Sequence, residues 1–144
     1  MFIDHSTHSL DNKGRISIPT RYREELGESF MVCRPFATRK NKCVWIMPKS
    51  EWELYTKDIM TKFASNEFND LRTGYLGSSS PATIDAQGRV IIPLTLRKYA
   101  DLDDTVILSG NGNRLEVWAQ DTWTDVLNNT VDETMMQKLL ALGY

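Results

Sequence analysis

Short apolar runs and polar interruptions divide this chain into two similar blocks. The first block carries Phe30-Met31-Val32-Cys33 and Val44-Trp45-Ile46-Met47; the second carries Val106-Ile107-Leu108-Ser109 and Leu115-Glu116-Val117-Trp118. Runs of this length, rich in β-branched and aromatic residues, predict strands. In the second block the runs are joined by Gly110-Asn111-Gly112-Asn113, a strong signal for a tight hairpin. The connection in the first block, residues 34–42, is longer and basic.

Helical patterns separate these strands. Residues 20–26 are helical in composition and end at Gly27, a natural C′ residue, and residues 94–100 are their weaker counterpart. Ser50-Glu51-Trp52-Glu53 reads as a capping box, with Trp52, Tyr55, Ile59 and Phe63 on one face behind it. Asp121 is a second expected cap, before Trp123, Val126 and Leu127. Thr130-Val131-Asp132-Glu133 is a further capping box, opening a last helix with Met135, Met136, Leu139, Leu140 and Leu142. The Trp and Met positions sit at core spacing, so packing is their expected role. Between the blocks, residues 65–81 are polar, and Gly77-Ser78-Ser79-Ser80-Pro81 reads as a linker.

The blocks are copies of each other. Ser9-Leu10-Asp11-Asn12-Lys13-Gly14-Arg15-Ile16-Ser17-Ile18-Pro19 reappears as Thr83-Ile84-Asp85-Ala86-Gln87-Gly88-Arg89-Val90-Ile91-Ile92-Pro93, at a constant offset of 85 − 11 = 74. Asp, Gly, Arg and Pro are identical, apolar positions match apolar ones, and Arg23 aligns with Arg97. In each copy a short strand leads into Asp-x-x-Gly, where Asp accepts hydrogen bonds within its own turn and Gly supplies a positive φ. A second strand follows, 15–18 or 89–92, until Pro19 or Pro93 ends the ladder for want of an N–H. These signals predict repeat 1 over residues 5–50 and repeat 2 over 79–122. Residues 51–78 connect them, and 123–144 form a helical tail.

Composition narrows the function. With 41% hydrophobic and 25% charged residues the chain is an ordinary globular one. No apolar run approaches the roughly 20 residues of a membrane span, and the N-terminus lacks a signal-peptide pattern, so a cytosolic location is expected. Cys33 and Cys43, the two cysteines, read as small strand hydrophobes. His5 and His8 have the spacing of some metal ligands, but a strand sends them to opposite faces, so neither a metal nor a cofactor is expected. There is no nucleophile–base pair and no phosphate loop, which argues against an enzyme.

The formal net charge of −2 is unevenly spread: residues 1–45 hold eight Lys/Arg against five acids, and the rest nine against fourteen. A basic first half permits a one-sided anion-binding surface. An Arg just after a glycine turn can offer its guanidinium to a phosphate or a guanine edge. Arg15 and Arg89 either do this or pair with Asp11 and Asp85 of their own turns. Lys13, and Arg39, Lys40 and Lys42 of the basic connection, are further candidates for DNA contact; Arg21, Arg23 and Arg97 read as helix-face charges. Asp11, Gly14, Pro19, Asp85, Gly88 and Pro93 are expected to be architectural. Copy one, with Lys13 and the basic connection, looks the stronger DNA reader.

The two motif copies, with Val44-Trp45-Ile46-Met47-Pro48 and Glu51-Trp52-Glu53, resemble the MraZ family of bacterial regulators over nearly the whole chain. The resemblance implies an α+β, mainly β fold: two tandem AbrB-like swapped-hairpin β units forming a pseudo-twofold, double-ψ-like core with peripheral helices. It also implies homo-oligomeric rings that bind repeated boxes of double-stranded DNA in the promoter of their own division and cell-wall operon. A nucleoid-associated transcriptional regulator follows, with Lys13, Arg15 and Arg89 as contacts. The chain departs from the family pattern at Gln87, in the long basic connection, and in residues 71–81. An antitoxin-like module whose helical tail binds a partner protein is the alternative.

Overall fold

The computed structural model describes residues 1–37, 40–129 and 131–144. The chain runs β1 (His5–Ser9), β2 (Arg15–Ser17), α1 (Thr20–Leu26), β3 (Phe30–Cys33), β4 (Val44–Pro48) and α2 (Lys49–Lys62). A 3-10 turn (Asn66–Phe68) and α3 (Asn69–Ser78) follow. The second copy runs β5 (Ser80–Ala82), β6 (Arg89–Ile91), α4 (Leu94–Tyr99), β7 (Thr105–Gly110), β8 (Leu115–Ala119) and α5 (Gln120–Leu127), and α6 (Glu133–Ala141) ends the chain. The architecture is α+β with antiparallel strands throughout.

Six strands form one sheet in the order β1-β7-β8-β4-β3-β5, and β2 pairs with β6 in a separate ribbon. The copies exchange strands. β1 of copy one pairs with β7 of copy two, β5 of copy two pairs with β3 of copy one, and the hairpins meet at β4–β8. Among the described residues, the strand pairs within a copy are β3–β4 and β7–β8. Pro81 lies in β5 at a sheet edge, where a strand tolerates a missing N–H.

Both sheet faces are covered, which is why the central strands read as unbroken apolar runs. Val32, Val44, Ile46, Leu108 and Val117 point into a core with Ile16, Val90, Leu26 and Leu96. The alternate residues Cys33, Trp45, Met47, Ile107 and Trp118 face a second core under α2, α3 and α5. One carboxylate enters that layer: Glu116 accepts hydrogen bonds from Arg114 Nε (2.9 Å), Asn111 Nδ2 (3.1 Å) and Trp118 Nε1 (3.2 Å). A buried charge is tolerable when it is paired and bonded in this way. Both cysteines are buried, and burial pushes the Cys33 thiol up to about 12.

Several local expectations are corrected. Residues 77–81 are not a linker: Gly77 and Ser78 close α3, and Ser80–Ala82 is a strand, while Tyr75, just before them in α3, is fully buried. Ser50 is not a cap, because α2 starts at Lys49 directly after Pro48 with no side-chain cap. Asp121 likewise sits inside α5, whose N-cap is Ala119. In each case the strand feeds straight into the helix and leaves no room for a cap. For α6 the cap is Asp132, which accepts from the Met135 N–H at 2.8 Å; Thr130 lies outside the described residues. Met135, Met136, Leu140 and Leu127 are exposed, so core packing does not explain them within one chain.

Candidate nucleic-acid interface

The two Asp-x-x-Gly-Arg motifs come together in the β2–β6 ribbon. Its register pairs Arg15 with Ile91, Ile16 with Val90 and Ser17 with Arg89. Alternation buries Ile16 and Val90 completely and leaves Arg15, Ser17, Arg89 and Ile91 on the outer face. Sequence reasoning singled out the arginines and missed Ser17 and Ile91, although strand alternation from Arg15 and Arg89 would have found them.

Each turn is held by its aspartate. Asp11 Oδ1 accepts the backbone N–H groups of Lys13 (3.0 Å) and Arg15 (2.8 Å), and the Gly14 N–H returns to the Asp11 carbonyl at 2.9 Å. Asp85 does the same for Gln87 and Arg89, both at 2.9 Å. Arg15 Nε donates to Asp11 Oδ2 at 2.6 Å, and Arg89 Nε to Asp85 Oδ2 at 3.3 Å. The ion pairs engage Nε, the inner nitrogen, and the two side chains keep 29% and 30% of their exposure. Structural pairing and display on the ribbon therefore coexist, and the two copies display their arginines alike.

The backbone N–H of Arg15 is the main reason the Asp11 carboxyl falls from its usual range to about 2; the Asp85 carboxyl is lowered by the corresponding bond from Arg89. A carboxyl whose folded value lies below its unfolded one stabilises the fold above the unfolded value, and that stabilisation fades as pH falls toward the folded value. We therefore expect the stability difference between wild type and Asp11→Asn to be constant above about pH 4 and to shrink between pH 4 and 2. Urea unfolding across that range measures it. A difference that does not change with pH would refute this account of the turn.

Reciprocal contacts lock the ribbon. The Ile92 N–H donates to the Gly14 carbonyl (2.7 Å) and the Ile18 N–H to the Gly88 carbonyl (2.9 Å), so each copy's turn is held by the other copy. Arg23 Nε donates to the Ile18 carbonyl and Arg97 Nε to the Ile92 carbonyl, each at 2.9 Å. These arginines pass beside Gly88 and Gly14 of the opposite copy, where any Cβ would meet them. They are clasps on the ribbon rather than helix-face charges. Their signal in the sequence was their identical place in both copies.

The other candidates are dispersed. Lys13 is exposed in its turn and Lys40 is exposed in the basic connection. Lys42 lies over the Tyr99 ring of α4 at 5.3 Å, and Arg34 shares that ring at 5.1 Å. Arg39 lies outside the described residues. Arg21 sits 3.8 Å from Asp4 and stacks on Tyr22. His5 packs on Trp123 and His8 bonds Ser6, on opposite faces of β1 as expected. Among the described residues, no cluster of His, Cys, Asp or Glu could hold a metal ion.

Comparison with known proteins bears on the duplication directly. The sequence profile of the family described as "MraZ protein, putative antitoxin-like" matches residues 1–72 and again 76–140. The chain belongs to the MraZ family. It is 34% identical over 146 residues to the transcriptional regulator MraZ of Syntrophomonas wolfei, covering 99% of both chains. It is 34% identical over 147 residues to that of Roseiflexus sp., covering all of both. To that of Carboxydothermus hydrogenoformans it is 35% identical over 129 residues, covering 89% of this chain and 87% of the relative. The two MraZ matches coincide with the two motif copies that the ribbon joins. No helix among the described residues is long and apolar enough to cross a membrane.

Proposed function

We propose that this MraZ-family chain is a DNA-binding transcriptional regulator that recognises repeated boxes in the promoter of its own operon, and that it is not an enzyme. The observation that carries the reading is the joining of both motifs into one ribbon with Arg15 and Arg89 on its outer face. The names of its relatives support it. A two-stranded ribbon fits the major groove, and guanidinium forks suit guanine edges and phosphates. Residues 5–50 and 79–122 serve as the two repeats, Lys13 and the Lys40 and Lys42 connection adding phosphate contacts, in a protein of the cytoplasm and nucleoid. Strand exchange between the copies supports the AbrB-like swapped-hairpin reading of the core. The exposed apolar side chains of α6 support assembly into a ring, where repeated weak contacts gain avidity.

A mobility-shift titration against the DNA upstream of its own gene tests this reading. Wild type should bind with an affinity that falls steeply with salt. Arg15→Ala combined with Arg89→Ala should cost at least about 30-fold, since each base-reading arginine contributes about 1–3 kcal/mol. Undiminished binding by the double variant would sink the assignment. The same α6 side chains also favour a second reading, an antitoxin-like module whose tail captures a partner protein. Light scattering separates the two: a closed oligomer supports the regulator, whereas a monomer with an unprotected tail supports the module.

A further inference from the structure

The outer face of the ribbon is not symmetric. Arg15 and Arg89 are equivalent through the 74-residue offset, but Ser17 in copy one corresponds to Ile91 in copy two. Ile91 is 59% exposed, although a residue in a three-residue strand could have turned any polar side chain outward at no cost to the core. It stands directly across the ribbon from Arg15 and two residues along the same face from Arg89. A protein surface seated on Ile91 would therefore have to cover two guanidinium groups as well, and buried charges require their own partners. In a DNA groove those partners are already present as phosphates and guanine edges.

We infer that Ile91 is a specificity-determining residue which packs against the C5-methyl group of a thymine within two base steps of the base contacted by Arg15. The inference rests on the ribbon reading above. Thymine alone among the bases offers an apolar group in the major groove, and apolar side chains read it by contact. Cross-strand neighbours stand about 5 Å apart, one to two base steps of about 3.4 Å, so the thymine lies next to the Arg15 base or one beyond it. Ser17 offers a hydroxyl in the equivalent place beside Arg89, able to bond any base edge. The two halves of the ribbon consequently ask for different bases, and a single box is read in one orientation.

The test compares two synthetic duplexes of the promoter segment upstream of the gene, one with thymidine and one with deoxyuridine at every thymine. They differ only in C5-methyl groups. Wild type should bind the uracil duplex at least about four-fold more weakly, the factor expected for one buried methyl group. Ile91→Ser should bind both duplexes equally, and Ile91→Val should keep the discrimination; circular dichroism checks that each variant is folded. Methyl-insensitive wild-type binding, or equal sensitivity in wild type and Ile91→Ser, overturns the inference while leaving the ribbon reading intact. Failure of wild type to bind either duplex overturns both.

Discussion

Replacing Tyr75 with alanine should destabilise the protein by about 4 kcal/mol, within the range for removing a buried aromatic side chain. Tyr75 is fully buried in α3, inside the polar stretch between the two blocks and just before the residues that read as a linker. Its ring stacks against Trp52 at 6.5 Å and meets Tyr55 and Phe36 edge-on at 5.8 and 6.1 Å. Its hydroxyl lies 2.8 Å from Thr56 Oγ1 on α2, and burial pushes the phenol's pKa upward. Alanine there would open a cavity in the second core and release α3 from α2. Tyr75→Phe keeps the ring and loses a single hydrogen bond, so it should cost only about 1 kcal/mol. Urea denaturation of the three proteins decides the matter, and a cost below about 1 kcal/mol for alanine would mean that α3 is not fastened by this residue. The ribbon packs on the other core, so the folded fraction of Tyr75→Ala should keep its affinity for DNA.

The second large effect concerns the clasp between the copies. Gly14 has a φ of 81° and Gly88 one of 77°, values that cost any other residue about 1–2 kcal/mol. A Cβ on Gly14 would also lie 2.6 Å from the Ile92 carbonyl, which is backbone and already accepts a hydrogen bond from Arg97 Nε. At Gly88 the obstruction is the Arg23 guanidinium, the end of a flexible side chain. Gly14→Ala should therefore cost about 3 kcal/mol or more, adding overpacking to conformational strain, and Gly88→Ala visibly less. Thermal unfolding of the two variants checks the order. Equal losses would mean that conformation alone, and not the approach of the opposite copy, requires glycine. Because both turns shape the ribbon, Gly14→Ala should weaken DNA binding even at temperatures where it stays folded.

Much of this was legible in the sequence because it is local. The strand Phe30–Cys33 was readable from its apolar run, and α1 from its composition and the glycine that ends it. Aspartate holds its turn through bonds to residues two and four positions on, so the spacing of the motif contains its geometry. The failures have physical causes too. α3 carries two glycines and several polar residues, and its helix is held by aromatic partners distant in sequence rather than by intrinsic propensity. Ser50 and Asp121 have the chemistry of caps, but strands β4 and β8 run directly into the helices and place both inside the first turn.

The sequence by itself determined that there are two copies, that each carries an aspartate-held glycine turn followed by an arginine, and that both belong to one family pattern. Only the tertiary structure decided that the copies exchange strands, that Arg15 and Arg89 share a single ribbon, and that Arg23 and Arg97 close it from opposite sides. The reason lies in distance along the chain. A turn is specified within five residues, whereas the bonds from Ile18 to Gly88 and from Ile92 to Gly14 join residues 70 and 78 positions apart, and no local period records which partner a strand will take.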